Sequence, residues 1–287
     1  MTSPSIKKAL EQQLNAEIIA HQTVSGGCIN TCYQITTTKG ILFTKINNSA
    51  CYPQMLAKES EGLKLLKEKS NFKIPAPIGI CSHEGFDILI MEFVESGMKS
   101  PDFNVKLGTS LAKMHLKKAE HFGLYCDNYI GSLKQSNKLH LEWTDFFIHQ
   151  RLTPQLELLK ATGNISTPQI NLFEKLFKRL DSIFPKEPPA LLHGDLWAGN
   201  YMCTASGEPC LYDPAVYFGH REMDIAMTQL FGGFDVAFYE AYNACYPLEK
   251  GWKKRIEICN LYPILVHANL FGGGYLEQAI SILNRWV

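Results

Sequence analysis

The order of the predicted helices and strands constrains the fold of this chain more than any other feature of its sequence. Three runs rich in β-branched and aromatic residues, which favour strands, lie at residues 31–37, 41–46 and 86–93. Helical patterns cover residues 6–20 and, between the second and third strands, residues 54–70. Because antiparallel neighbours need only short turns, we expect a small antiparallel sheet with one main helix across it.

The pattern changes after Glu95, where long helical periodicities begin. They cover residues 104–119, 143–160, 168–184 and 222–245. The sequence therefore predicts an α+β protein of two lobes, with a small amino-terminal domain at residues 1–95 and a larger, mainly helical domain at residues 96–287. Two short apolar runs, 190–192 and 210–212, are expected to pair as a hairpin.

The charge balance narrows the choice of partners. Lysine plus arginine and aspartate plus glutamate both number 28, so no net charge attracts nucleic acid or an anionic membrane. The amino terminus has no apolar segment of the signal-peptide type, and no run reaches the roughly 18 apolar residues of a membrane-spanning helix. We expect a cytoplasmic protein, a monomer or weak dimer, that binds a small molecule and neither nucleic acid nor membrane.

The strongest chemical signal is the segment Leu-Leu-His-Gly-Asp-Leu-Trp-Ala-Gly-Asn at 191–200, followed by Leu-Tyr-Asp-Pro-Ala at 211–215. Phosphoryl transfer needs hard oxygen ligands that hold metal ions and a carboxylate that orients the attacking hydroxyl. Asp195 is expected to orient or deprotonate that hydroxyl. Asn200 and Asp213 are expected to bind Mg²⁺ at the phosphates of ATP.

A purely structural interpretation of this segment is a hairpin whose Asp and Asn side chains cap turns, which is their commoner role in loops. Both halves of the pattern match the requirements of a phosphotransferase, so we favour the catalytic interpretation. His193 precedes Gly194 and Asp195. We expect it to support the loop, and not to act as the catalytic base.

A nucleotide site is predicted upstream. Gly26 and Gly27 form a glycine-rich turn whose backbone amides could cover phosphates, although Gly-Gly is also an ordinary turn. Lys45 on a following strand is the expected partner of the nucleotide phosphates. A helix carboxylate should hold this lysine. We favour Glu59 for that role and expect Glu61 to be a solvent-facing charge.

The last strand of the first domain is expected to contact adenine. Its carboxyl end comprises Met91, Glu92, Phe93 and Val94. The Met91 side chain would line the adenine pocket, and the backbone groups of the three following residues would form hydrogen bonds with the base. The alternative is a buried edge strand that binds no ligand.

Taken together, these motifs resemble the fructosamine kinase, or ketosamine 3-kinase, family over nearly the whole chain. The resemblance extends beyond the catalytic segments to residues 25–30, 127–131, 151–156, 219–224, 226–234 and 270–272. It implies a protein-kinase-like fold related to aminoglycoside and choline kinases, with ATP and Mg²⁺ as cofactors. The implied reaction is phosphorylation of the 3-hydroxyl of a fructosamine, ribulosamine or erythrulosamine, free or protein-bound, in deglycation repair.

Two residues are candidates for contact with the acceptor. The indole of Trp197, beside Asp195, offers an apolar face to a sugar or an amine-bearing chain, or else braces the loop as a core aromatic residue. His267 resembles a family segment that approaches the acceptor pocket, or else is a packed helical histidine. Departures from the family pattern at Leu139, Pro263 and Val266 bear on the choice of acceptor.

Three charged residues after the metal-binding segment, Arg221, Glu222 and Asp224, are expected to form an ion-paired brace that supports Asp195. Two alternatives to a ketosamine kinase stay open. One is a small-molecule kinase for an aminoglycoside, choline or another sugar. The other is a catalytically silent kinase-like protein that binds nucleotide.

Overall fold

The computed structural model describes residues 4–24 and 29–287. Helix α1 and strands β1, β2 and β3 come first, at Pro4–Leu14, Ile18–Val24, Thr31–Thr37 and Gly40–Asn48. Helix α2 and strands β4 and β5 follow, at Met55–Lys69, Pro77–His83 and Phe86–Glu92. The five strands form one antiparallel sheet in the order β1-β2-β3-β5-β4. The predicted strands and the main helix are present, with small shifts at their ends.

Two strands of this sheet were not predicted, and both are edge strands. The helical pattern at residues 6–20 suggested one long helix, but α1 ends at Leu14 and Asn15 has a positive φ of 47°, which turns the chain out of the helix. Strand β1 then exposes most of its side chains, so its sequence has no period-two signal. Strand β4 contains Pro77 and Gly79, with an irregular register between them, which are poor strand residues.

Helix α1 covers one face of the sheet. Its Ile6 and Leu10 are buried in a core with Ile46 and Ile88 from the inner strands. Side chains alternate between the two faces of a strand. Lys45 on β3 therefore points to the face opposite α1. Helix α2 contacts β4 and β5.

The carboxyl-terminal part of the chain is mainly helical, as predicted. We call the run at residues 191–200, which contains Asp195, the catalytic segment. The helices and short strands before it are α3 (Phe103–His115), β6 (Asn128–Ile130), β7 (Leu133–Gln135), α4 (Trp143–Phe146), α5 (Thr153–Ala161), α6 (Thr167–Phe177) and α7 (Leu180–Ile183). A π-helical turn at Phe147–Leu152 joins α4 to α5 without a break. The prediction of one helix at residues 168–184 was wrong, since the chain forms two helices there.

The remaining elements include the catalytic segment. They are β8 (Ala190–Leu192), β9 (Tyr201–Cys203), β10 (Pro209–Leu211), β11 (Tyr217–Gly219), α8 (Glu222–Leu230), α9 (Val236–Cys245), α10 (Trp252–Cys259), α11 (Leu261–Phe271) and α12 (Tyr275–Trp286). The single helix predicted at 222–245 is divided into α8 and α9, because Gly232 and Gly233 adopt positive φ angles of 72° and 93°.

The hairpin predicted between residues 190–192 and 210–212 was wrong. Strand β8 pairs with β11, and β9 pairs with β10. Apolar runs of three residues show that a strand is buried, but they do not show which strand is its neighbour.

The chain forms two compact units. The first contains the described residues up to Ser100 together with Met202–Asp213, and the second contains Pro101–Tyr201 and Pro214–Val287. The sequence placed the domain boundary at residue 95. In the second unit, α3 and α9 approach closely at Gly108, where an added Cβ would lie 2.2 Å from the carbonyl oxygen of Phe238. Within the described ranges, no helix has the length and apolar character needed to cross a membrane.

Candidate active site

In the first unit, Lys45 is buried and bonded to two carboxylates. Its Nζ donates to Oε1 of Glu59 on α2 at 2.6 Å and to Oδ1 of Asp213. Burial by itself would lower the pKa of the Lys45 ammonium. The negative charges of Asp213 and Glu59 outweigh that effect and hold the pKa above its ordinary value. The lysine is therefore a permanent cation. Glu61 instead pairs with Lys58 at 3.2 Å on the outer side of the helix.

The end of β5 contains the residues predicted to contact adenine. The Glu92 N–H donates to the carbonyl oxygen of Ala76 at 2.9 Å, so this N–H is not available to a nucleotide. The Glu92 carboxylate accepts a hydrogen bond from the Ala76 N–H at 3.2 Å and pairs with Lys73. Met91 is buried, and Phe93 and Val94 are half-buried. Adenine contacts at this strand end would therefore come from backbone groups other than the Glu92 N–H.

Gly26 and Gly27, predicted to cover the phosphates, lie outside the described residues. Their assignment stays a prediction.

In the second unit, the catalytic segment follows β8 and is held by a buried carboxylate. Oδ2 of Asp224, on α8, accepts from the backbone N–H of His193 at 2.8 Å, and Oδ1 accepts from that of Gly194 at 2.9 Å. A ring nitrogen of His115 lies 3.2 Å from Oδ2 of the same carboxylate. Because burial lowers the pKa of His115 despite its contact with Asp224, the imidazole is neutral and donates to Asp224. These hydrogen bonds to Asp224 thus fix the backbone of the two residues before Asp195.

The side chain of Asn200 fixes Asp195 itself. Its Nδ2 donates to the backbone carbonyl of Asp195 at 2.8 Å and to carboxylate Oδ2 at 2.9 Å. His193 is fully buried, and its Nδ1 lies 3.3 Å from the Asp195 backbone nitrogen as an acceptor. These contacts agree with a supporting role for His193 and give Asp195 a defined orientation.

Arg221, Glu222 and Asp224, which were predicted to form one ion-paired brace, do not form one cluster. Arg221 pairs with Glu187 at 2.6 Å, and Glu222 pairs with Arg255 at 2.5 Å. Only Asp224 contacts the catalytic segment. The expected brace is therefore the Asp224 carboxylate alone, which accepts hydrogen bonds from backbone N–H groups. Arg221 and Glu222 form two separate ion pairs.

The two side chains predicted to bind Mg²⁺ lie in different units, Asp213 in the first and Asn200 in the second. Within residues 4–24 and 29–287, no group of three His, Cys, Asp or Glu side chains is arranged to hold a metal. Mg²⁺ in nucleotide sites commonly takes one or two carboxylates and completes its shell with phosphate oxygens and water. The Asp213 side chain is partly exposed, and the Asn200 amide donates through its nitrogen, which leaves its oxygen as a metal ligand. Each side chain by itself carries a hard oxygen of the kind that binds Mg²⁺, and their joint role stays a prediction.

Trp197 lies in the second unit and is partly exposed, with its ring over Gly199, where an added Cβ would lie 2.3 Å from the indole. It begins a chain of ring contacts that we call the aromatic cluster. Its members are Trp197, Phe231, His267, Phe271 and Tyr275. The ring of Phe231 bridges Trp197 and His267, with centroid distances of 6.1 and 5.0 Å. The structure thus connects both predicted acceptor residues through a ring that was not predicted to have a role.

The tautomer of His267 follows from its partner. Its Nδ1 lies 2.7 Å from the carbonyl oxygen of Pro263, which can only accept, so Nδ1 carries the proton. In the neutral ring Nε2 is then an acceptor. Phe231 lay inside a segment that resembles the family and could have been found there, whereas no sequence signal pointed to Tyr275.

Comparison with known proteins shows the family of the chain. The fructosamine kinase family profile matches residues 2–287. A probable ketoamine kinase of Synechocystis sp. is 38% identical, covering 99% of this chain and 98% of its own. The chloroplastic protein-ribulosamine 3-kinase of Oryza sativa subsp. indica is 35% identical, covering 94% of this chain and 80% of its own. The solved structure of a candidate fructosamine-3-kinase from Thermobifida fusca matches with a TM-score of 0.86 at 31% identity, covering 98% of this chain and 97% of its own.

The protein is therefore a phosphotransferase of the protein-kinase-like fold that acts on an alcohol group. More particularly, the chain belongs to the fructosamine kinase family. The predicted fold class, the family resemblance and the enzyme class are confirmed.

Proposed function

We propose that this protein transfers the γ-phosphoryl group of ATP to the 3-hydroxyl of a ketosamine. The observation that carries the proposal is the geometry of the catalytic segment. Asp195 is held by the Asn200 amide, and the backbone before it is held by Asp224. A carboxylate with a fixed orientation is what a hydroxyl acceptor needs for alignment and for removal of its proton.

At the nucleotide end, the proposal assigns the phosphates of ATP to Lys45. Its ammonium keeps its positive charge because Glu59 and Asp213 stabilise it. Glu59 holds that ammonium in place. The sequence predicts Asp213 and Asn200 as ligands of Mg²⁺, which would neutralise charge on the transferred phosphoryl group when bound.

At the acceptor end, the aromatic cluster suits a ketosamine chemically. Such a molecule joins a sugar to a secondary amine, which is protonated near neutral pH. Aromatic ring faces attract ammonium groups, and the exposed Phe271 and Trp197 offer such faces. Nε2 of His267 can accept a hydrogen bond from the ammonium or from a sugar hydroxyl. The relatives named as ketoamine and ribulosamine kinases support this class of acceptor.

A role in deglycation follows from the product. A phosphate at C3 lies next to the ketone carbon and leaves far more easily than hydroxide. Phosphorylation at this position would therefore make the sugar adduct labile and free the amine.

The test is a panel of acceptors with purified protein and Mg-ATP. Ribulosamine, erythrulosamine and fructosamine conjugates of lysine are compared with choline and an aminoglycoside, and products are located by ³¹P NMR. We expect a 3-phosphate on at least one ketosamine and none on choline or the aminoglycoside. Tight ATP binding without transfer to any acceptor would show a silent nucleotide-binding protein, and transfer to another acceptor alone would reassign the substrate.

A further inference from the structure

A group of buried polar side chains in the second unit lies behind the catalytic segment and has no role in the chemistry described above. Its members are Asn128, Gln135, Asn137, Arg151 and Tyr262. We call it the amide network. Buried polar groups are costly unless they are hydrogen-bonded, so such a network needs a structural or functional reason.

Arg151 is the cationic member of the network. It is fully buried, with its guanidinium 4.0 Å from the ring centre of Tyr217 and 4.5 Å from that of Phe146. It donates to the carbonyl oxygen of Ser136 at 2.6 Å and to Oδ1 of Asn137 at 2.7 Å. A guanidinium can only donate, so the oxygen of the Asn137 amide must face it.

That constraint sets the direction of every following hydrogen bond. Asn137 presents its oxygen to Arg151, so its Nδ2 donates to Oδ1 of Asn128 at 2.9 Å. Asn128 must then donate through its own Nδ2, which bonds the carbonyl oxygen of Val216 at 2.8 Å. The donor-only side chain of Arg151 thus orients two amides in series. The last hydrogen bond of this series is to the backbone carbonyl of Val216.

A second branch ends at the neighbouring carbonyl. The Tyr262 hydroxyl donates to Oε1 of Gln135 at 2.7 Å, and burial raises the pKa of this phenol, so it keeps its proton. Gln135 therefore donates through Nε2, to Oδ1 of Asn128 at 2.8 Å and to the carbonyl oxygen of Ala215 at 3.2 Å.

Ala215 contacts the catalytic segment directly. Its N–H donates to the carbonyl oxygen of His193 at 2.9 Å. Its own carbonyl lies so close to Gly194 that a Cβ there would be 2.1 Å from the oxygen. Gly194 also has a φ of 83°, which glycine adopts without strain. A shift of the Ala215 carbonyl would therefore displace Gly194 and, with it, Asp195.

We propose that Gln135 and Asn128 are positioning residues for Asp195. They hold the Ala215 and Val216 carbonyls. Arg151, through Asn137, fixes the direction in which the Asn128 amide donates, and Tyr262 fixes that of Gln135. The proposal rests on the proposed function only through the role of Asp195. It predicts that reversing one amide from donor to acceptor lowers turnover more than it lowers substrate binding.

The central variant is Gln135→Glu, which keeps the shape of the side chain. A carboxylate cannot donate to the Ala215 carbonyl or to Oδ1 of Asn128. We expect kcat to fall by roughly 10- to 100-fold, since small displacements of reacting groups have effects of this order. The KM values for ATP and ketosamine should change little. Lowering the pH protonates Glu at this position and restores a donor, so the ratio of variant to wild-type kcat should rise.

The matched control is Asn269→Asp on α11. Nδ2 of Asn269 also donates to a backbone carbonyl and a side-chain oxygen, both of Gln155, at 3.0 and 2.9 Å. It lies two positions after His267, a rotation of about 200° around the helix, so it points away from the aromatic cluster. We expect a comparable loss of melting temperature with kcat unchanged. Equal loss of kcat in both variants, or wild-type kcat in Gln135→Glu, would overturn the proposal.

A milder variant covers the case in which Gln135→Glu does not fold. Tyr262→Phe removes the single O–H donor that orients the Gln135 amide. It should fold and lose a few-fold in kcat at unchanged KM, and unaltered kcat would contradict the proposal. If the wild type phosphorylates no ketosamine, the proposed function fails. The same variant ratios are then measured on slow transfer from ATP to water, which also depends on Asp195 alignment.

Discussion

The two carboxylates on which the proposed chemistry depends most, Asp213 in the first unit and Asp195 in the second, are held by different kinds of interaction. Asp213 bonds directly to the cation of Lys45, which is shared with Glu59. Asp195 receives hydrogen bonds from the neutral Asn200 amide. The charged Asp224 accepts hydrogen bonds from the backbone N–H groups of the two residues before Asp195.

This difference suits the two roles. A directly bonded cation holds the Asp213 carboxylate in place beside Lys45, as its proposed role at the nucleotide phosphates requires. A general base must be aligned with the hydroxyl that it deprotonates, and the neutral Asn200 amide restrains the orientation of Asp195 for that proposed role. The amide network extends the same principle, because neutral donors also hold the Ala215 and Val216 carbonyls.

The largest effect is expected from Asp195→Asn. The amide keeps the size of the side chain but cannot accept the proton of the hydroxyl. We expect kcat to fall by roughly 10²- to 10⁴-fold, the range typical of a lost general base, with ATP affinity retained. Steady-state kinetics and calorimetric titration with ATP measure the two quantities. Asp181→Asn, at an exposed carboxylate bonded to Thr144, is the control and should be silent. Equal loss of ATP affinity would show that the two carboxylates do not differ as proposed.

The second largest effect is expected from Lys45→Met. The change leaves Glu59 and Asp213 without their shared cation, and breaking a buried pair in this way costs about 3–5 kcal/mol of stability. We expect a higher KM for ATP and a lower melting temperature. The control is Glu61→Gln, because Glu61 pairs with Lys58 at the surface. If Lys45→Met keeps both its ATP affinity and its stability, the cation does not have the role assigned to it.

The smallest effect on turnover is expected from Glu187→Gln, at a cation-paired carboxylate of the second unit. Burial alone would raise the pKa of Glu187, but the hydrogen bonds from Arg221 lower it below the ordinary value of 4.5. A lowered folded-state pKa stabilises the protein above the unfolded-state value, and this stabilisation is lost as the pH falls through the folded-state value. The variant should therefore be less stable than the wild type at neutral pH, and the difference should shrink in acid.

Thermal unfolding from neutral pH to below pH 4.5 measures this difference. Turnover at neutral pH should stay near the wild-type rate. A stability difference that does not change with pH would contradict the assignment of the ion pair.

Local patterns in the sequence predicted the inner part of the first unit well. The run at residues 31–37 matches β2 at both ends, because its side chains alternate between a buried and a more exposed face. The edge strands were missed because most of their side chains are exposed or half-buried, so their sequences show no buried face. The break between α8 and α9 was missed because Gly232 and Gly233 can lie in a helix as well as in a turn, and the sequence does not show which conformation they adopt.

The site shows the same limit. Asp195, Asn200 and Asp213 could be named because their roles require particular residue types within a short segment. Gln135 could not be named, because it lies 80 residues before Ala215 in the chain and one amide resembles another. Its role depends on which backbone carbonyl it meets, and long-range packing decides that.

The chain path through the first unit also sets an order of events during synthesis. Residues 202–213 complete that unit, and Asp213 follows Lys45 by 168 residues. At ribosomal rates of about 5–20 residues per second, the lysine emerges roughly ten to thirty seconds before its second carboxylate. Until then Lys73 also lacks its bridge to Cys210 of β10. The first unit therefore cannot be completed until residues 202–213 have been synthesised. Until then Lys45 can pair with Glu59 but not with Asp213.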